Sequence, residues 1–129
     1  MEDDLYLILL KNEQEKEIEI GSLGEIRFED GYYIYVGSAR NNISSRLKRH
    51  LKKEDKNKYW HIDYLRSELN FKGFLSFSRK EYDSECRLVS YIEKETGFEK
   101  VVEGFGSSDT ECYSHLLYNE EIDSMKFLT

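Results

Sequence analysis

The chain has no proline, which argues against stiff linkers between domains. It has only two cysteines, Cys86 and Cys112, too few for a disulfide-built scaffold. A chain of this size in a reducing cell does not need the bond, so free thiols are expected. No run of about twenty apolar residues occurs, which argues against a helical membrane span. The opening MEDDLYLILL is acidic, and its apolar run is too short for a secretory signal. These absences lead to the expectation of a cytoplasmic protein with no membrane partner. Internal repeats and low-complexity segments are missing as well.

What is present suits one domain over residues 1–129. The chain is 39% hydrophobic, and ten Tyr, seven Phe and one Trp supply a largely aromatic core. Its net charge of −7 argues, taken alone, against a generic nucleic-acid binder. The distribution argues differently. Residues 40–58, RNNISSRLKRHLKKEDKNK, carry eight Lys/Arg against two acids, a local +6 that leaves −13 of the total −7 on the remainder. Such a segment is either a solvated charged helix or a phosphate-facing surface. On the second reading Arg40, Lys48, Arg49, Lys52 and Lys53 contact nucleic acid.

Residues 5–10, the alternating EKEIEIG at 15–21, EIRF at 25–28 and YYIYV at 32–36 read as strands of an N-terminal meander, with turns at Gly21–Gly24 and Glu29-Asp30-Gly31. Asn41 or Asn42 caps a helix running to about Lys53, and YWHIDYLRSEL at 59–69 forms a second. FKGFLSFS at 71–78 reads as a strand, with Phe71, Gly73, Leu75 and Phe77 on one side and Lys72, Phe74, Ser76 and Ser78 on the other. Asp83 or Ser84 caps a third helix that Gly97 ends. Val101-Val102 and SHLLY form last short strands around the glycine-rich GFGSSD. The fold class is α+β, a small mostly antiparallel sheet flanked by about three helices.

On a wheel of about 3.6 residues per turn, Ile43, Leu47 and Leu51 form the core stripe of the basic helix. Arg46 and His50 sit at its apolar edge, where a guanidinium can offer two parallel donors to one phosphate and an imidazole can donate or move a proton. The alternative is an Arg that snorkels beside a satisfied boundary His. Glu85 falls on the same side of the third helix as Leu88, Val89 and Ile92. It either serves the helix N-terminus or faces a cleft and holds a divalent cation. His61 and Asp63 are read as buried structural groups. Ser107, Ser108 and Asp109 are read as turn formers, with a phosphate nest as the alternative. Cys86, Cys112 and His115 could supply three zinc ligands, although no CxxC pair exists.

The strand ending Tyr35-Val36-Gly37, followed by Ser38-Ala39 and a helix bearing Arg46-Leu47 and His50, resembles the second half of the GIY-YIG nuclease signature. YVGSA, WHIDYL at 60–65 and GFGSSD...C..SHL at 104–116 together resemble a small prokaryotic GIY-YIG-like family over roughly Leu5 to Tyr118. In that pattern Thr110 stands where another Cys is common. The first motif departs: Leu5-Tyr6-Leu7 takes its place without its Gly or Ile.

The resemblance implies a GIY-YIG-like fold and a metal-dependent DNA endonuclease, in repair or recombination, leaving a 5′-phosphate and a 3′-hydroxyl. Tyr6 or Tyr35 takes the proton of the attacking water, and the other positions water or phosphate. Arg46 clamps the phosphoryl oxygens and His50 donates or relays a proton. Glu85 holds one Mg²⁺ or Mn²⁺. A register five residues later puts Ser90 at the metal position and predicts an inactive enzyme. A phenol, with an ordinary pKa of about 10, needs nearby cations to act as a base. The rival readings are a catalytically inactive nucleic-acid-binding or adaptor domain, and a zinc-stabilised interaction module.

Overall fold

The structure, a computed structural model, describes residues 3–40, 61–78, 84–107 and 112–121. Its central element is β1 (Asp3–Asn12), which pairs antiparallel with β4 (Gly31–Arg40) on one edge and β5 (Asn70–Ser78) on the other. β7 (Leu116–Asn119) continues the sheet beyond β4, and the two-residue β6 (Glu99–Lys100) closes it, in the order β5-β1-β4-β7-β6. β2 (Lys16–Glu19) and β3 (Glu25–Phe28) form a separate two-stranded sheet. The α+β class with a mostly antiparallel sheet therefore stands.

The N-terminal third is not a simple meander. The β2–β3 hairpin is an excursion between β1 and β4, which pair with each other through ten register partners. Asn12 ties the excursion down: its buried Nδ2 donates to the carbonyls of Phe28 at 3.2 Å and Glu29 at 3.0 Å.

Strand alternation sorts the core into two layers. Tyr6, Ile8, Leu10, Tyr33 and Tyr35 pack with Ile62, Leu65, Leu69 and Phe105 on one face, while Leu5, Leu7, Leu9, Ile34 and Val36 pack with Leu88, Val89, Ile92 and Phe98 on the other. The first face is covered by the short helix α1 (His61–Arg66), the second by α2 (Glu85–Thr96). Two helices stand among the described residues; the helix expected to run to about Lys53, and Tyr59 and Trp60, lie outside them.

The ends of α2 follow its sequence. The Ser84 side chain accepts from the Arg87 amide at 3.3 Å, satisfying one of the orphan donors of the first turn, and Gly97 ends the helix with φ 81°. α1 stops at Arg66, earlier than its apolar pattern suggests, and the buried Arg66 guanidinium caps the turn by donating to the Leu69 carbonyl at 3.0 Å.

Two strand readings need correction. Val101-Val102 is not a strand, because Val102 takes φ 62° as the chain turns into the glycine-rich loop, and the pairing segment is Glu99–Lys100. In β5 the register shifts beside Leu9/Leu10: Gly73 faces Leu9 while Phe71 faces Leu10, so Lys72 is the extra residue of a bulge. The bulge puts Phe71 and Phe74, three apart, against the same layer. No helix among the described residues is long and apolar enough to cross a membrane.

Ile34 is fully buried in β4, between β1 and β7. Ile34→Ala should cost about 3 kcal/mol, whereas Leu75→Ala on the edge strand, where the side chain is exposed, should cost less than about 1 kcal/mol, as read from urea midpoints at constant m.

Candidate functional site

Tyr6 and Gly37 are direct partners in the β1–β4 ladder. The phenol ring lies over the glycine: a Cβ at position 37 would stand 2.6 Å from Tyr6 Cζ and Oη and 3.0 Å from Tyr35 Cε2. The YVG tripeptide thus has a packing reason, since only a residue without a side chain lets two aromatic rings close over the strand. Tyr6 and Tyr35 have centroids 6.4 Å apart at 54°, and Phe74 stacks on the other side of Tyr6 at 5.4 Å and 14°.

Beyond Tyr35 the platform continues through the glycine-rich loop. Phe105 meets Tyr35 edge-on at 6.1 Å, and a Cβ on Gly106 would be 2.9 Å from Tyr35 Cε1, at a φ of 69° that already favours glycine. The Gly106 amide donates to His61 Nδ1 at 2.8 Å. Burial pushes the His61 pKa below its ordinary value, against an opposing backbone hydrogen bond to Gly104. His61 is therefore neutral with its proton on Nε2, and it anchors the loop that shapes Tyr35's surroundings. The sequence reading gave His61 a structural role; the further signal was the GFG tripeptide, whose small residues announce close approach. Asp63 is fully buried on α1.

Tyr33 and Tyr118 serve the Glu29-Asp30-Gly31 turn. Tyr33 Oη donates to the Glu29 carbonyl at 2.8 Å, and Tyr118 Oη to the Asp30 carbonyl at 2.6 Å. Burial raises the Tyr33 pKa, so this phenol stays protonated.

Glu85 belongs to a different corner. It opens α2, on the sheet face opposite Tyr6 and Tyr35, and its Oε1 lies 3.4 Å from Nδ1 of the buried His115. The Nε2 of the same ring lies 4.0 Å from Cys86 Sγ, and Cys86 is disulfide-bonded to Cys112. The expected free thiols are thus corrected: α2's first turn packs beside the segment entering β7, giving a Cα–Cα distance of 5.9 Å, inside the range of about 4.4–6.8 Å that a disulfide spans. Ser90 is exposed in a groove shared with Cys86, Arg87, Tyr91 and Lys94. The two corners meet at Gly106, where a Cβ would also be 3.6 Å from His115 Cβ.

Beside Glu85 stands the His115 imidazole, and the cysteine sulfurs gather around the same ring rather than around the carboxylate. A Mg²⁺ or Mn²⁺ ion serving the phenols needs its carboxylate beside them, whereas Glu85 is turned to His115 on the opposite layer, so the described residues do not assemble such a site. Of the remaining expected residues, Arg40 ends β4, and Arg46, Lys48, Arg49, His50, Lys52 and Lys53 lie outside the described residues.

Residues 5–128 match the family described as "Domain of unknown function DUF123". The chain belongs to that family. No curated protein and no solved structure matches it. The DUF123 match takes in both corners, the tyrosine platform and the Glu85–His115 pair.

Gly37→Ala should lower stability by about 1–3 kcal/mol, because Tyr6 must leave its place over the strand; tyrosine fluorescence and a urea titration together report it. His61 yields a pH test. With its folded pKa below the unfolded value of about 6.5, its contribution is complete above about pH 6.5 and is lost as pH falls, because a protonated Nδ1 can no longer accept from Gly106. The melting temperature should drop between about pH 7 and pH 5, and by less in His61→Asn, whose side-chain oxygen keeps an acceptor at every pH.

Proposed function

We propose that the protein is a DNA endonuclease of GIY-YIG type, hydrolysing phosphodiester bonds in repair or recombination. The observation that carries the reading is the pair of phenols, Tyr6 and Tyr35, set side by side over Gly37 on two neighbouring strands. β4, which bears Tyr35, leads directly into the cationic run that begins at Arg40. In this proposal Tyr35, 8% exposed against 1% for Tyr6, is the phenol that meets the attacking water, and Tyr6 positions it. Arg46 neutralises the phosphoryl oxygens and lowers the barrier to charge build-up, His50 donates to the same group, and Arg40, Lys48, Arg49, Lys52 and Lys53 track the backbone. The resemblance assigns Glu85 to Mg²⁺ or Mn²⁺. Because Glu85 faces His115 on the layer away from the phenols, hydrolysis in this proposal rests on the phenols and the basic run.

One observation favours a second reading, a nucleic-acid-binding domain without catalysis: the single acid expected at the site faces His115 on the other side of the sheet. Branched, flapped and plain DNA, each incubated with the full chain with and without Mg²⁺ or Mn²⁺, separates the two. Cleavage that falls by about 10²–10⁴ in Tyr35→Phe and in Arg46→Ala supports the endonuclease. Cleavage indifferent to both substitutions overturns the site. Binding without cleavage, with a salt slope reduced by about 1 in Lys48→Ala, supports the second reading.

A further inference from the structure

We propose that reduction of the Cys86–Cys112 disulfide opens a Zn²⁺ site, with the two cysteine sulfurs and Nε2 of His115 as ligands and Glu85 holding the imidazole from Nδ1. The site is independent of the hydrolytic reading, since it uses neither phenol nor any residue of the basic run.

Geometry carries the proposal. The two sulfurs and a ring nitrogen of His115 all lie within 4.8 Å of one another. In a tetrahedral zinc site, with Zn–S of about 2.3 Å and Zn–N of about 2.0 Å, ligand atoms are separated by about 3.5–3.8 Å. The 4.0 Å between Cys86 Sγ and His115 Nε2 is close to that spacing as it stands. The cysteine sulfurs must part from bonding distance, which is what reduction allows.

The imidazole is already oriented. His115 is 1% exposed, with Nδ1 toward the Glu85 carboxylate at 3.4 Å and Nε2 toward sulfur. A metal-bound histidine typically donates its second N–H to a carboxylate, which sets the tautomer and raises the basicity of the ligating nitrogen. Glu85, expected from the sequence as a ligand to a hard cation, thus becomes a positioning residue for a borderline-soft one. The ligands come from two supports, the first turn of α2 and the segment entering β7, so the ion would clamp the same two elements that the disulfide joins. Three protein ligands leave a fourth position, and Cys86 lines an open groove of about 440 Å³ with Arg87, Ser90, Tyr91 and Lys94 where water can take it.

The chemistry balances with a phosphine as reductant. Phosphorus attacks one sulfur and releases the other as thiolate; water then cleaves the phosphorus–sulfur bond, giving the second thiol and a phosphine oxide. The disulfide gains two electrons and phosphorus loses two. Zn²⁺ displaces the thiol protons as it binds.

The full chain, oxidised or phosphine-reduced, is dialysed against Zn²⁺ and assayed for metal, and in parallel titrated with Co²⁺. The reduced chain should take up one Zn²⁺, the oxidised chain none, and excess Mg²⁺ should not displace it. Co²⁺ should show the visible bands of a tetrahedral site and a sulfur-to-cobalt charge-transfer band that weakens in Cys86→Ser. Glu85→Gln should keep the stoichiometry and weaken Zn²⁺ binding about 10- to 100-fold. Substoichiometric zinc on the reduced, folded wild-type chain, equal uptake by the oxidised chain, or a Co²⁺ spectrum without the sulfur band overturns the site. Unchanged affinity in Glu85→Gln overturns the role given to Glu85. The wild-type measurements decide the matter even where a variant folds poorly.

Discussion

Because β1 is hydrogen-bonded along both edges, to β4 and to β5, each of its side chains is committed to one face of the sheet and none can slip by a single position without exchanging the two layers. Leu5, Leu7 and Leu9 go to α2, and Tyr6, Ile8 and Leu10 go to α1 and the glycine-rich loop. Each such apolar side chain contributes on the order of 1.5–3 kcal/mol when fully buried, so a register slip would forfeit most of the core at once. The same constraint sets Tyr6 opposite Gly37. The platform is thus a consequence of strand pairing rather than a decoration added to it.

The two layers carry different chemistry. One is aromatic: Phe74, Tyr6, Tyr35 and Phe105 touch in succession, with a neutral His61 fixing the loop behind them. The other ends in a polar corner of carboxylate, imidazole and sulfur. Gly106 is where they touch, since a side chain there would meet both Tyr35 and His115. The glycine-rich loop thus lies against both, and at Gly106 the close approach of Tyr35 leaves little room for a methyl group.

Much of this was legible in the chain. Of the two caps offered, Asp83 or Ser84, the second is the one used, and with the Gly97 stop it bounds α2, because capping depends on a few adjacent residues and the orphan amides they serve. Leu5–Leu10 and YYIYV read correctly as strands from their composition, but which strands pair is a non-local matter, and the meander expected from chain order gave way to β1–β4 pairing across an inserted hairpin. The exchange of Phe74 to the face of Phe71 escapes a reading by strict alternation; the local mark of the bulge is Gly73, an isolated glycine inside a strand. Val102 was read as a strand residue on its β-branched side chain, and the turn into the glycine-rich loop overrode that preference.

The sequence by itself determined the α+β class, the cationic run within an acidic chain, and the identities of the groups able to do chemistry, because composition, periodicity and caps are local properties. Only the tertiary structure decided their company. Tyr6 and Tyr35, far apart along the chain, became neighbours through an antiparallel ladder. Glu85, whose helical position was equally consistent with a cap or a cation ligand, was turned toward His115 because Leu88, Val89 and Ile92 bind its helix to the face away from the phenols. A side chain's partners are set by which face its element buries, and burial is settled by the whole core together.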